Sequence, residues 1–331
     1  MNVFAEMPEA HFVAGRVLFS TAAGPRRGYG HLLRCRSLAR ALGVRPLICI
    51  RGPQGSVDVA LRLGCDVVKG TPQRLLRALQ PDVLVVDDPE ARSAARWINA
   101  ARQADVMVAT IHDLGLGCHD ADLLIDGSIL PRLSTSRRVA AGTAYAIVDP
   151  SLRAYARSNA ARRSIVVSLG GGPRAEIAWS IASEIARRAP RVQVRVVGGF
   201  ISAGPPNGGR SLPNVVWVGA TTNLARELGQ ARVAVVGGGV SLYEACALGT
   251  PVVGVPVVPS QRPTVAGFVK RGAALGRPSN GIVPHRVADD ALRLLREKRL
   301  RTFVVRAARR LVDGRGAFRA ARAIVRLAEK S

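Results

Sequence analysis

Short runs of Val, Ile and Leu alternate along most of the chain with stretches whose apolar residues recur every three or four positions. The short runs fit strands buried on both faces of a parallel sheet, and the slower recurrence fits the helices that cross between such strands. In the first half this predicts strands at Arg16–Ser20, Pro46–Ile50, Val83–Asp87, Val106–Ile111 and Asp122–Asp126. Helices are predicted between them at His31–Leu42, Val57–Leu63, Gln73–Leu79 and Glu90–Arg102. Across Pro131–Arg163 the period is lost in an Arg-, Ser- and Ala-rich stretch, and an interdomain linker is expected near Pro150–Arg163. The alternation then resumes with strands at Ser164–Ser168, Arg191–Val197, Val215–Val218, Val233–Val236 and Pro251–Val255. Helices are predicted at Arg174–Arg188, Asn223–Gly229, Val240–Leu248, Pro284–Arg296, Lys298–Leu311 and Gly316–Ala328.

Both halves thus have one plan of strand, glycine-rich turn and helix, and 331 residues suit two domains of about 150 each. The expectation is two doubly wound α/β lobes, residues 1–155 and 156–331, with the last helix packing back on the first lobe. Ligands of such sheets sit at the carboxyl ends of the strands.

Composition changes this picture little. The chain is 48% hydrophobic but only 4% aromatic, so the cores are built from Ala, Val, Leu and Ile. The formal charge of +25 invites a polyanion partner. However, only Lys69, Lys270, Lys298 and Lys330 are lysines, and the arginines are spread along many helices, densest from Arg286 to Arg326. With no aromatic RNA-binding motif or zinc finger, no specific nucleic-acid partner is expected; peripheral contact with an anionic membrane surface fits the charge better. Cys35, Cys49, Cys65, Cys118 and Cys246 are odd in number and include no C-x-x-C pair, as expected of buried thiols in a reducing cytoplasm. Neither a signal peptide nor a membrane span is recognisable. No cofactor or metal is expected, since His112 and His119, seven residues apart, read as structural.

Three glycine-rich turns carry the candidate chemistry. In the first, Gly24–Arg34, Gly28 and Gly30 let backbone N–H groups approach a ligand at a helix start, beside Arg34. His31 falls in the first helical turn, where the positive local field favours a neutral imidazole able to take a proton from water. The second, Ser168–Pro173, places Gly171 and Gly172 in the same strand-to-helix position but lacks the Lys-Ser/Thr of a nucleoside-triphosphate loop. The third runs from Gly237 through Gly238, Gly239, Ser241 and Glu244 to Gln261. It suits a phosphate at a helix start, with a carboxylate one turn later able to accept from vicinal ribose hydroxyls.

The third motif resembles the nucleotide-binding half of glycosyltransferase family 28. The first, read as G-x-G-H-x-x-R-C-x-x-L-A, more closely resembles the UDP-sugar hydrolases of pseudaminic acid synthesis and their spore-coat-polysaccharide relatives. Asp82–Asp87, Ile111–Leu114 with His119–Asp126, and Asp313–Ala317 match the same group, so the resemblance spans roughly residues 16 to 326. It implies a GT-B fold with a cleft between the lobes, and release of UDP from a 2,4-diacetamido-2,4,6-trideoxy sugar by water at the anomeric carbon. In that reading His31 activates the water, Gly171 and Gly172 bind the nucleotide, and Gly238, Gly239 and Ser241 hold its diphosphate. Glu244 holds the ribose, the Ala220–Thr221–Thr222 turn lines the uracil, and Gly28, Gly30, Arg34 and Gln261 face the sugar or phosphates. The chain departs from the hydrolases at Asp87–Asp88–Pro89, where they have Asp-x-Tyr, and from transferases at Arg262–Pro263–Thr264, where they carry an Asn. A glycosyltransferase using a UDP-sugar donor is the alternative reading, and a non-enzymatic basic binding module the third.

Overall fold

The structure, a computed structural model, describes residues 15–25, 27–114, 120–131, 138–156, 162–170, 174–200, 204–206, 212–219, 221, 223–278 and 281–329. Two all-parallel sheets organise it. The first joins β1 (Val17–Ala22), β2 (Leu47–Arg51), β3 (Asp66–Val68), β4 (Val83–Asp87), β5 (Met107–His112), β6 (Leu123–Asp126) and β7 (Val139–Ala141) in the order β3-β2-β1-β4-β5-β6-β7. The helices of this lobe are α1 (Gly30–Leu42), α2 (Gln54–Arg62), α3 (Pro72–Leu79) and α4 (Ala91–Gln103). The second joins β8 (Ser164–Ser168), β9 (Val194–Val197), β10 (Val215–Gly219), β11 (Ala231–Gly237), β12 (Val252–Val255) and β13 (Leu275–Gly276) in the order β10-β9-β8-β11-β12-β13. Its helices are α5 (Arg174–Arg188), α6 (Leu224–Gln230), α7 (Val240–Ala247), α8 (Arg262–Lys270), α9 (Pro284–Arg296) and α10 (Lys298–Leu311), followed by α11 (Gly316–Ala328).

Every residue of β1, β4, β8 and β12 is buried, as central parallel strands covered by helices require. The strand order reverses between β1 and β4 in one lobe and between β8 and β11 in the other, opening a crevice at the carboxyl ends of both sheets. Three strands and one helix lie outside the sequence expectation. β3, β7 and β13 are only two or three residues long, too short to show a period. In α8 the buried face includes Thr264 and Gly267 beside Val265 and Phe268, which hides the apolar stripe.

The chain crosses between the lobes twice. On the first crossing Ala146, Val148 and Leu152 are already buried in the second lobe's core, so the handover begins ahead of the linker expected at Pro150–Arg163. On the second, α11 returns, and its Ala317, Ala320, Ala321, Ile324 and Leu327 join Leu32, Leu38 and Leu42 of α1 in the first lobe's core. The crossings press on one another: a Cβ on Gly316 would lie 2.1 Å from the Ala146 carbonyl oxygen, and one on Gly127 would lie 2.6 Å from the Ala146 Cα. Arg319 fastens the same place by donating to Asp313 at 2.9 Å and to the Ala144 carbonyl at 2.8 Å.

This geometry makes Gly316 irreplaceable where a glycine in open space is not. Gly316→Ala should lose at least the roughly 1–3 kcal/mol typical of overpacking. Gly55, at the start of α2 with nothing near its Cβ position, should gain about 0.4–1 kcal/mol on substitution by Ala through a less flexible unfolded chain. Urea titration of both variants reads the two signs; equal effects would contradict the close packing at Ala146.

Candidate active site

Strands β1 and β4 are neighbours in register, with Thr21 opposite Asp87 and its hydroxyl donating to the Asp87 carbonyl at 3.1 Å. Past β1 the chain pinches shut: Gly24 and Gly28 donate N–H groups to each other's carbonyls at 3.1 and 2.7 Å, with Gly28 at φ +83°. Such a φ is easy for glycine and strained for other residues. The pinch delivers His31 to the first turn of α1, directly above the end of β4. That helix start has neither a side-chain cap nor an acidic residue in its first turn, so its positive end is uncompensated by the protein.

A compact charged cluster sits there. His31 Nδ1 lies 2.7 Å from Asp87 Oδ1. Arg34 reads the same carboxylate with both edges, donating from Nε to Oδ2 at 2.9 Å and from Nη2 to Oδ1 at 2.7 Å, while Nη1 donates to Asp113 Oδ1 at 2.6 Å. Arg34 Nη2 is also 2.8 Å from His31 Nδ1. Both are donors converging on Oδ1 when Nδ1 carries the imidazole proton, which leaves Nε2 with a free lone pair. Burial opposes the Asp87 charge, but the Arg34 guanidinium and His31 more than offset it and hold the carboxyl down at about 2. Asp87 is therefore an anion throughout the neutral range, able to accept from His31 Nδ1 and to set the aim of the ring.

The facing wall comes from the second lobe. A Cβ on Gly30 would sit 3.6 Å from a Val240 methyl, so the starts of α1 and α7 meet across the cleft. No side chain caps α7, its first turn has no acid, and among the described residues the N–H groups of Gly239, Val240 and Ser241 have no partner. Successive free N–H groups at a helix start form a site for an anion. The Gly238 N–H, by contrast, is taken by the Val255 carbonyl at 3.0 Å and by Gln261 Oε1 at 3.1 Å. Gly238 serves as a passage, since its Cβ would collide with Val265 at 2.7 Å. Gln261 Oε1 also accepts from Val257 N at 3.1 Å, which holds the loop open and leaves the amide Nε2 near Gly239. At the other end of α7, Arg162 donates to the carbonyls of Leu248 and Gly249 at 2.9 and 2.8 Å, capping the negative pole.

Glu244 is partly buried one turn into α7, and its carboxylate has no hydrogen-bond or ion-pair partner among the described residues. Desolvation, reinforced by the nearby Asp149, raises its carboxyl to about 7.

The structure therefore brings Gly28, Gly30, His31, Gly238, Gly239, Ser241, Glu244 and Gln261 to one cleft. Arg34, expected beside the sugar or phosphates, is buried and spends its guanidinium on Asp87 and Asp113. The Thr221 hydroxyl accepts from Asn223 N at 3.0 Å in the turn before α6. Gly171, Gly172, Ala220, Thr222 and His119 lie outside the described residues. Two residues were not anticipated. Asp87 could have been suspected as a carboxylate ending the strand beside β1. Tyr243 carried no signal: its hydroxyl accepts from Ile129 N at 3.0 Å and so ties α7 to the first lobe.

No family model matches the chain. The spore coat polysaccharide biosynthesis protein SpsG of Bacillus subtilis (strain 168) is 26% identical over 323 residues, covering 89% of this chain and 94% of that protein. Among solved structures, the calicheamicin glycosyltransferase CalG4 matches with a TM-score of 0.66 at 18% identity, covering 96% of this chain and 99% of its own. The UDP-GlcNAc 2-epimerase from Neisseria meningitidis, solved bound to UDP-GlcNAc, matches with a TM-score of 0.65 at 13% identity, covering 96% and 100%. The chain is similar to SpsG over most of its length, and its fold is the two-lobed GT-B arrangement of these structures.

The Glu244 carboxyl links stability to pH with a definite sign. Raised from 4.5 to about 7 on folding, it keeps a proton that the unfolded chain releases, so its destabilising effect is absent below about pH 4.5 and complete above about 7. Glu244→Gln should therefore raise Tm at pH 8 and lose that advantage by pH 4.5; calorimetry at the two pH values tests this, and an equal gain at both would contradict it.

Proposed function

We propose that this GT-B protein is an enzyme that binds a UDP-sugar between the starts of α1 and α7 and releases UDP by attack of water on the anomeric carbon. The observation that carries the reading is the His31–Asp87 pair, whose unpartnered Nε2 stands at the uncapped start of α1 opposite three free N–H groups of the second lobe. A base beside an anion site is what displacement of a diphosphate needs. SpsG is by name a polysaccharide biosynthesis protein, and the Neisseria epimerase holds a UDP-sugar in this fold, which supports a nucleotide-sugar as the substrate class.

In the proposed step, water gives a proton to His31 Nε2 as its oxygen bonds to the anomeric carbon. The bond from that carbon to the diphosphate oxygen breaks, its electron pair staying with UDP. The new charge is met by the N–H groups of Gly239, Val240 and Ser241, aided by the α7 dipole and the Gln261 amide. Asp87 stabilises the imidazolium that forms, and Arg34 keeps Asp87 in place. Ionised Glu244 accepts from the ribose hydroxyls, its missing partners supplied by the ligand. Transfer to an alcohol or amine in place of water is the second reading, favoured by the likeness to the glycosyltransferase CalG4.

His31→Ala should lower turnover by about 10²–10⁴-fold, the usual contribution of general base catalysis, while UDP binding is retained. Asp87→Asn should reduce turnover with UDP binding likewise kept. The assay is UDP release from a panel of UDP-sugars that includes a UDP-2,4-diacetamido-2,4,6-trideoxyhexose, with and without alcohol acceptors. Release without an acceptor, lost in His31→Ala, is the expected result. Release that requires an acceptor would establish transfer, and undiminished release in His31→Ala would remove the base from the scheme.

A further inference from the structure

Several arginines sit opposite a carboxylate: Arg34 with Asp87, Arg36 and Arg40 with Asp149, Arg51 with Asp88, Arg188 with Asp289, Arg195 with Glu227 and Arg319 with Asp313. Helix α10 has no such pair among the described residues and concentrates its cations on one face. Its sequence, KRLRTFVVRAARRL, has six basic residues and no acid. Val304, Val305 and Ala308 are buried against the lobe, leaving Lys298, Arg299, Thr302, Phe303, Arg306, Arg309 and Arg310 exposed, with the Arg309 guanidinium turned back over Gly249. None of those five cationic side chains has an ion-pair or hydrogen-bond partner among the described residues. Thr302, Val305, Arg306, Arg309 and Arg310 line an open groove of about 400 Å³ along the helix.

In the middle of the cations stands Phe303, 60% exposed, the most exposed large apolar side chain among the described residues. Its ring lies over Gly272, where a Cβ would come within 2.6 Å of it, beside the exposed Lys270 and Arg271 that end α8. The unpaired cations, spaced along one convex helix face around a single ring, complement a flat, negatively charged surface that is apolar just beneath. We infer that the outer face of α10, extended by the end of α8, docks this protein on a membrane containing anionic phospholipid. The arginines meet headgroup phosphates while Phe303 enters the boundary with the acyl chains. A single-stranded nucleic acid would instead want successive rings along a groove, and α10 offers one. The surface lies apart from the cleft and is independent of the chemistry proposed there.

The test is co-sedimentation of the full-length protein with vesicles of phosphatidylcholine alone or mixed with phosphatidylglycerol, alongside binding to a 20-nucleotide DNA. The protein should bind only the phosphatidylglycerol vesicles, and 1 M salt should release most of it, since screening shortens the field to about 3 Å. With each basic residue contributing about a fivefold change in partitioning, R299Q/R306Q/R310Q should weaken binding by about a hundredfold. F303S should weaken it while leaving the salt dependence intact. A melting curve like the wild type's confirms that each variant is folded. Equal binding to both vesicle types, no loss in the folded triple variant, or binding to DNA in preference to vesicles would each overturn the inference.

Discussion

A single buried ion pair organises the first lobe's side of the cleft. The carboxylate of Asp87 is at the end of β4 with almost no exposure, where an isolated charge would be several kcal/mol unfavourable. Two donors from Arg34 and one from His31 offset that penalty, and all three residues are consequently held in one geometry. The fold makes the pairing achievable, because parallel β1 and β4 are adjacent and α1 begins just beyond β1. Arg34, one turn after His31, then reaches the same carboxylate from the same helix face. A His on a surface helix would choose between rotamers; here the ring is held by a residue 56 positions away.

On the proposed function, a base fixed in one lobe needs an anion site that the other lobe brings to it. The second sheet repeats the order of the first sheet's first six strands, and the helix start it turns toward α1 is that of α7, which follows β11, the neighbour of β8 as β4 is of β1. Its dipole is used in both directions: free N–H groups face the cleft, and Arg162 caps the carbonyl end from the buried side, where desolvation and Arg309 lower its guanidinium to about 10. Relative placement of the lobes rests on contacts that tolerate little change. These are Gly127 and Gly316 against the Ala146 backbone, Tyr243 on Ile129 N, and the edge-on pair of Tyr29 and Phe200 with ring centroids 5.3 Å apart.

Much of this was legible in the sequence, for reasons tied to particular residues. The buried strands VLVVD and SIVVS announce themselves because both faces of a parallel strand are covered, and glycine-rich turns mark where a helix start must face a ligand. What depends on long-range meeting was not legible. Arg34 read as a ligand contact because nothing local says that Asp87 and Asp113, 53 and 79 positions on, will claim its guanidinium. Gly238 read as a phosphate donor although its N–H is consumed by Val255 and Gln261. Glu244 was legible in position but not in its ionisation, which follows from desolvation that only the packed lobe creates. Elements such as β3 and β13 have too few residues to carry a period of their own and exist because a neighbouring strand offers hydrogen bonds.

The central claim is that Asp87 holds His31 with Nδ1 protonated and Nε2 free, beside the place where a diphosphate binds. Nitrogen-15 NMR of histidine-labelled protein, above the pH at which its imidazoles titrate, reads the tautomer of His31 directly with and without saturating UDP. The account predicts an Nδ1–H tautomer whose Nε2 resonance moves when UDP is added. An Nε2–H tautomer, or a His31 signal indifferent to bound UDP, would contradict it.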